Sequence, residues 1–153
     1  HKLKRIRDGA ARLGLPNIRT ELQDASVCRE EWKDSADVVL CDVPCSGLGI
    51  IRKKPEIRFK NPDEIRTLPE IQARILANCA QYVKKGGTLV YSTCTILQRE
   101  NEDVVRAFLT ENPEFEAVSW THPVCGERAD GMVTLLPPVH NTDGFFIAKF
   151  RRK

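Results

Sequence analysis

No C-x-x-C pair occurs in this chain, although it carries six cysteines in 153 residues. Cys28, Cys41, Cys45, Cys79, Cys94 and Cys125 are dispersed. Cys41 and Cys45 have three residues between them but no second pair to complete a zinc site, so no metal is expected. The pattern is not that of a small disulfide-stapled secreted scaffold, and reduced thiols in a cytoplasmic protein are the default. No apolar run approaches the roughly 20 residues of a membrane span, and no signal-peptide pattern precedes the fold, so no membrane partner is expected. Repeats, low-complexity tracts and linkers are absent. Neither sign of charge dominates: 24 Lys and Arg against 21 Asp and Glu leave a net +3.

The chain does have an ordinary globular balance, 41% hydrophobic and 29% charged. Its length suits one domain burying about 70% of its unfolded surface. The basic residues are clustered. They crowd at Lys2-Lys4-Arg5-Arg7, at Arg52-Lys53-Lys54-Arg58-Lys60 and at Arg151-Arg152-Lys153. Such runs suit a polyanion such as RNA, and equally suit a solvated surface.

Two stretches organise the rest. Val38 to Leu40 run into Asp42-Val43-Pro44-Cys45, and Leu89 to Tyr91 run into Ser92-Thr93-Cys94. Short apolar runs bounded by turn residues predict strands buried on both faces. The segment between them has helical periodicity, so the unit reads as a parallel crossover with both carboxyl ends at one sheet edge. Open α/β sheets bind ligands at that edge. Cys45, Cys94 and Asp42 are therefore expected at one pocket mouth. Cys41 and Cys79 fall at apolar positions and read as core.

In chain order, residues 1–14 predict a helix with Leu3, Ile6, Ala10 and Leu13 on one face and Gly14 as its stop. Ile18 to Leu22 predict a short strand delivering Asp24 to its end. Residues 48–62 predict a long basic loop pinned by Ile50, Ile51, Ile57 and Phe59, with two prolines against a regular element. Pro69 opens a helix with Ile71, Ile75, Leu76, Cys79 and Val83 inward; Lys84-Lys85 fall in its last turn and Gly86-Gly87 end it. Glu100 to Glu111 predict a helix with Val104, Val105, Phe108 and Leu109 inward. Phe115 begins a strand ending near Trp120. Residues 121–143 read as loop, and Gly144 to Phe150 as a final strand forming an antiparallel edge. His140 stands just before that strand and could reach the pocket or sit on the surface. Phe145 and Phe146 could flank a base or fill the core. Pro44 stiffens the turn presenting Cys45.

One thiol at a strand end is ordinary packing; two thiols beside a carboxylate suggest chemistry. Carbon 5 of cytosine is a poor nucleophile until a thiolate adds to carbon 6. An activated methyl group can then be attacked, a carboxyl group can offset charge near ring nitrogen 3, and a second thiol has a task when the first is expelled. Two other readings stay open. One is a non-catalytic RNA-binding module. The other is a redox pair in which Cys45 and Cys94 form a disulfide.

D-V-P-C-S-G-L-G at residues 42–49 and Y-S-T-C-T-I at residues 91–96 resemble the paired motifs of RNA cytosine-C5 methyltransferases, above all the bacterial branch acting on small-subunit ribosomal RNA. T-D-G-F-F-I-A-K at residues 142–149 is similar to that family's last motif. The resemblance implies a Rossmann-like sheet, mostly parallel with an antiparallel terminal strand, and S-adenosyl-L-methionine as methyl donor. It implies that Cys94 is the nucleophile, that Cys45 assists product release and that Asp42 contacts the base and the donor's methionyl end beside Pro44. Asp24 resembles the acid that contacts adenine, with a turn or cap residue as the alternative. Arg52, Lys53, Lys54, Arg58 and Lys60 form the implied RNA-contacting loop.

The family's glycine-rich D-x-x-A-A-P-G-G-K-T loop, its first two strands and its N-terminal RNA-binding domain have no counterpart here. The chain is expected to be a C-terminal portion of the catalytic domain, with residues 36–153 as core and residues 1–35 displaced. The family sheet runs 3-2-1-4-5-7-6. Without strands 1 and 2, the Val38 to Leu40 strand is expected to have an open edge, which invites a homodimer. The portion alone is expected to bind the methyl donor weakly and to be inactive.

Overall fold

In the computed structural model, which describes residues 2–153, everything is hung on one five-stranded sheet. Strand β1 (Ala36–Asp42) pairs in parallel with β2 (Val83–Thr93), in register from Val38 opposite Thr88 to Asp42 opposite Ser92. Helix α3 (Leu68–Gln81) lies in the crossover between them, with Pro69 in its first turn, where a missing N–H costs nothing. The shorter helix α2 (Pro62–Arg66) precedes it, and its Asn61 cap accepts from the Asp63 N–H at 3.0 Å. The expected crossover unit is present.

The end of α3 differs from expectation. The helix stops at Gln81, and Val83, with no exposed surface, already belongs to β2. Lys84 to Gly87 bulge from the ladder where the register slips between Ala36 and Val38, and Gly86 takes φ 76° there. Burying Val83 in the core draws the chain into extended backbone before the glycines are reached.

Strand β7 (Phe145–Arg152) runs antiparallel to β2, from Thr93 opposite Phe146 to Thr88 opposite Arg151. It is interior, and with the strands beyond it forms the expected antiparallel side of the sheet. Its far side is shared by β6 (Met132–Leu135), against Phe145–Ala148, and by β3 (Phe115–Ala117), against Phe150–Arg152. The path β1-β2-β7-β3 reproduces the end of the expected order, 4-5-7-6. Residues 121–143, read as loop, contain β6, all but the first residue of a small hairpin of β4 (Trp120–His122) and β5 (Gly126–Arg128), and the one-turn α5 (Pro137–His140). These pieces were hidden because three- and four-residue strands show too little alternation to stand out from their glycines and prolines.

Helices α3 and α4 (Glu102–Glu111) cover one face. Val104, Val105 and Phe108 of α4 and Ile75, Leu76 and Ala80 of α3 close over Cys41, Leu89, Tyr91, Phe146, Ala148 and Phe150. Each large apolar side chain buried there contributes about 1.5–3 kcal/mol. The other face contradicts the expectation of strands buried on both sides. Val38 is 64% exposed and Leu40 69%, because no helix among the described residues lies over them. Strand pleating sends Val38, Leu40 and Asp42 to that side and Cys41 to the core. Beyond β1 the sheet is open: β1 pairs with β2 alone among the described residues.

The first 35 residues follow a different logic. Helix α1 (Lys2–Arg12) buries only Ala10 of its apolar face, leaving Ile6 exposed, and Leu13 just past its end is exposed too. Ile18 to Leu22 form no strand, a correction to the expectation, because no ladder partner meets them. Side chains of α3 and its cap tie the segment down instead. Asn78 Nδ2 donates to the carbonyls of Ala25 (2.8 Å) and Val27 (3.2 Å), the Arg29 N–H donates to the Tyr82 hydroxyl (3.0 Å), and Trp32 sits edge-on to Tyr82.

Candidate active site

Parallel pairing brings the two motif ends together. Cys94 follows the last residue of β2, and Cys45 lies three residues past the end of β1. Their sulfurs stand 3.2 Å apart, and the Cys94 N–H donates to Cys45 Sγ at 3.3 Å. Both side chains are half-buried. Asp42, the last residue of β1, is exposed and accepts from the Ser92 hydroxyl at 3.0 Å. Burial first, and the neighbouring Cys94 sulfur second, push the Cys45 thiol from its ordinary 9.0 up to about 12. Cys45 is therefore a thiol, not a thiolate, at neutral pH. The expected grouping of Cys45, Cys94 and Asp42 at one sheet edge is what the strands produce.

A buried polar network under the two cysteines was not legible beforehand. Glu100 is fully buried; its Oε2 accepts from the Ser46 N–H and from Gln72 Nε2, both at 2.9 Å. Gln72, also fully buried, donates from the same amide nitrogen to the Pro44 carbonyl at 2.9 Å. The Ser46 and Thr95 hydroxyls bond at 2.7 Å, and the Tyr91 hydroxyl donates to the Glu100 carbonyl at 2.6 Å. Next along the chain, Asn101 accepts from the Thr93 hydroxyl at 2.6 Å and donates to the Thr95 carbonyl at 3.1 Å. One signal could have exposed this network. Gln72 falls on the same helical face as Ile75, Leu76 and Cys79, and a polar residue on an apolar face requires a partner.

Two glycines close the site from a third side. The Gly49 N–H donates to the Cys94 carbonyl (3.0 Å) and the Gly144 N–H to the Gly49 carbonyl (2.8 Å). A Cβ on Gly49 would stand 2.1 Å from the Gly144 carbonyl oxygen, and one on Gly144 would stand 2.6 Å from Gly49 Cα. Only glycine at both positions lets the loops after β1 and β2 meet the loop before β7. The D-G-F-F sequence is thus part of the site's frame.

The remaining candidates divide. A cleft of about 290 Å³ on the bare face of the sheet is lined by Leu40, Asp42, Val90, Ser92, Phe145 and Ile147. Phe145 faces it, whereas Phe146 is fully buried core. His140 Nδ1 accepts from the Leu136 N–H at 2.9 Å and so closes its own turn. Asp24 is exposed, and Ser26 donates to it from its N–H (2.9 Å) and its hydroxyl (2.7 Å), holding its carboxyl below the usual range. Asp24 does not line the Asp42 cleft. In the basic loop, Arg52 and Lys53 are paired with Asp143, and the Arg58 guanidinium lies 5.8 Å from the centre of the Phe59 ring, itself 83% exposed. Lys54 is exposed. Lys60 Nζ turns to the Ser46 carbonyl at 2.8 Å.

Comparison with known proteins gives a consistent setting. Residues 1–151 match the family model described as 16S rRNA methyltransferase RsmB/F. A probable ribosomal RNA small subunit methyltransferase B of Bacillus subtilis is 44% identical over 160 aligned residues, covering all of this chain and 36% of that protein. The crystal structure of PH0851 superposes with TM-score 0.90 at 36% identity, over 97% of this chain and 34% of that one. NSun6 from Pyrococcus horikoshii with SFG superposes at 0.78 with 25% identity, over 98% of this chain and 38% of that one. The chain spans about a third of the length of the relatives it matches.

Proposed function

Because the chain belongs to the 16S rRNA methyltransferase RsmB/F family, we propose that it supplies the catalytic edge of a cytoplasmic enzyme methylating carbon 5 of a cytosine in small-subunit ribosomal RNA. Residues 36–153 would be the C-terminal portion of the catalytic domain, with residues 1–35 as a displaced appendage. The observation that carries the reading is the 3.2 Å contact of the Cys45 and Cys94 sulfurs at the strand-end edge that also bears Asp42. Core thiols need no carboxylate neighbour and no open edge.

The Cys94 sulfur adds to carbon 6 of the base, and the electron pair of the 5,6 double bond moves to carbon 5. Asp42, at the end of β1, faces ring nitrogen 3 and the exocyclic amine, where it offsets the charge that develops. S-adenosylmethionine, when bound, would supply the methyl group that carbon 5 takes up with this electron pair, leaving as S-adenosylhomocysteine. The carbon 5 proton then leaves to water, the double bond re-forms and the bond from carbon 6 to sulfur breaks. Cys94 leaves as the thiolate in which it attacked, and Cys45, a thiol 3.2 Å away, assists that release by donating a hydrogen bond from its S–H to the departing sulfur. The target base must be single-stranded or flipped for carbon 6 to come within reach of Cys94.

Asp42 and Pro44 would face the methyl donor. Asp24 is tied to Ser26 and does not line the Asp42 cleft. That cleft, at about 290 Å³, lies at the lower end of ligand pockets, so this chain offers one wall of a site and is expected to bind the donor weakly and to be inactive alone. Micromolar binding by calorimetry would refute that. Arg52, Lys53, Lys54 and Arg58 are offered as phosphate contacts, whereas Lys60 is committed to Ser46. The open edge of β1 is where a second copy would pair, which light scattering would detect as a dimer.

RNA carrying 5-fluorocytosine is the deciding probe, because fluorine cannot leave carbon 5 as a proton does and the adduct persists. In the longer enzyme that carries this segment, a covalent adduct is expected in the presence of the donor, absent in Cys94→Ala. With unmodified RNA, Cys45→Ala in that enzyme should accumulate an adduct that the parent enzyme releases. RNA affinity that falls steeply with salt, without any adduct or donor effect, would leave only an RNA-binding module.

A further inference from the structure

Neither Glu100 nor Asn101 touches a cysteine, yet between them they hold both. Glu100 Oε2 fixes the Ser46 N–H, the residue after Cys45, while its partner Gln72 fixes the Pro44 carbonyl, the residue before. Asn101 fixes the Thr93 hydroxyl and the Thr95 carbonyl, the two residues flanking Cys94. Each sulfur is thus gripped through its chain neighbours on both sides. The two grips start from consecutive residues, whose Cα atoms are about 3.8 Å apart by covalent geometry. We infer that Glu100 and Asn101 are a positioning pair that sets the Cys45–Cys94 separation, and so presents a nucleophile and its releasing thiol at a constant distance.

The chemistry of the anchor supports this. Burying a carboxylate is costly unless it is hydrogen-bonded, and an apolar side chain of similar volume would fill the space under the turn. Such a side chain would not define the direction of the Ser46 N–H. Glu100 also accepts from the Tyr91 hydroxyl through its backbone carbonyl, which roots the pair in the middle of β2. The turn bearing Cys45 has few main-chain groups left to move. Lys60 holds the Ser46 carbonyl from the solvent side, and Thr95 holds the Ser46 hydroxyl.

The purpose assigned to the pair rests on the catalytic reading above, but its test does not. The 153-residue chain is equilibrated with reduced and oxidised glutathione, and the Cys45–Cys94 disulfide is quantified by peptide mapping. Two protein thiols and one oxidised glutathione give one protein disulfide and two reduced glutathiones. The equilibrium reports the effective molarity of the pair, a direct measure of how well the two sulfurs are held together. Glu100→Ala and Asn101→Ala are each expected to lower it at least tenfold. Glu100→Gln, whose amide oxygen can still accept from Ser46, should stay within about threefold of the parent. Circular dichroism establishes that each variant is folded. A folded Glu100→Ala with unchanged effective molarity overturns the inference, as does a Glu100→Gln that fails as completely as the alanine. Should Glu100→Ala not fold, Glu100→Asp keeps the charge but shortens the reach; a tenfold loss upholds the positioning role and the parent value overturns it. No RNA or methyl donor enters this measurement. A longer enzyme carrying this segment that forms no 5-fluorocytosine adduct therefore counts against the catalytic reading, while the glutathione equilibrium of the 153-residue chain still decides the positioning pair.

Discussion

The two faces of the sheet are made by the same strands and have opposite fates. On one side Leu89, Tyr91, Phe146, Ala148 and Phe150 are sealed under α3 and α4. On the other, Val38 and Leu40 are mostly exposed, and Val90, Phe145 and Ile147 are only half-covered. Hydrophobicity does not distinguish the two sets. What differs is whether an element lies above them. The covered face supplies stability, and through Gln72 and Glu100 its helix layer also reaches the site. The bare face supplies a cleft wall and an unpaired edge.

The contrast can be broken at its strongest point. Phe146→Ala on the covered face should cost about 3–5 kcal/mol, read as a shift of the urea midpoint. A cost below 1 kcal/mol would mean that the covered face is not the core. A smaller loss is expected where the three site loops meet. Gly49→Ala must push a Cβ away from the Gly144 carbonyl, which overpacks the junction by about 1–3 kcal/mol and should slow disulfide formation between Cys45 and Cys94. Gly86→Ala, which meets nothing within 4 Å but sits at φ 76°, separates backbone strain from crowding.

The half-buried site end is sharpened by pH. The folded chain holds the Cys45 proton up to about pH 12, whereas an unperturbed thiol gives it up near 9.0. This contribution to stability is therefore complete below pH 9 and is lost as pH rises towards 12. Alkylation of folded Cys45 should stay slow at pH 8, and Cys94→Ser should move its midpoint down by removing the neighbouring sulfur while leaving burial in place. An unshifted midpoint in Cys94→Ser would make burial the whole cause. The smallest effect belongs to the bare face. Val38→Thr keeps the branching that suits a strand and is expected to change stability by no more than about 0.5 kcal/mol. A loss comparable to that of Phe146→Ala would mean that something covers this face in solution.

Much of this could be read in advance. The apolar runs before Asp42 and Ser92, with a helical pattern between them, were enough for a parallel crossover and hence for Cys45 and Cys94 at one edge. The failures have separate causes. Ile18 to Leu22 had strand-like residues but no ladder to join. Lys84 to Gly87 carried a helix-stop pattern that the burial of Val83 overrode. Met132 to Leu135 was too short to show its period. Gln72 and Glu100 escaped because hydrogen bonds across 28 and 54 positions of chain leave no local pattern.

What the residues determined unaided was periodicity and order: which segments are strands and helices, and which reactive side chains stand at strand ends. These are local properties, set by apolar spacing, prolines and caps. Which strand faces are covered, which sulfur touches which, and that Lys60 turns to a backbone carbonyl instead of lying free were decided only by the tertiary structure. Those outcomes depend on segments distant in sequence arriving at one place, and a packed interior accepts few arrangements that satisfy all of its polar groups at once.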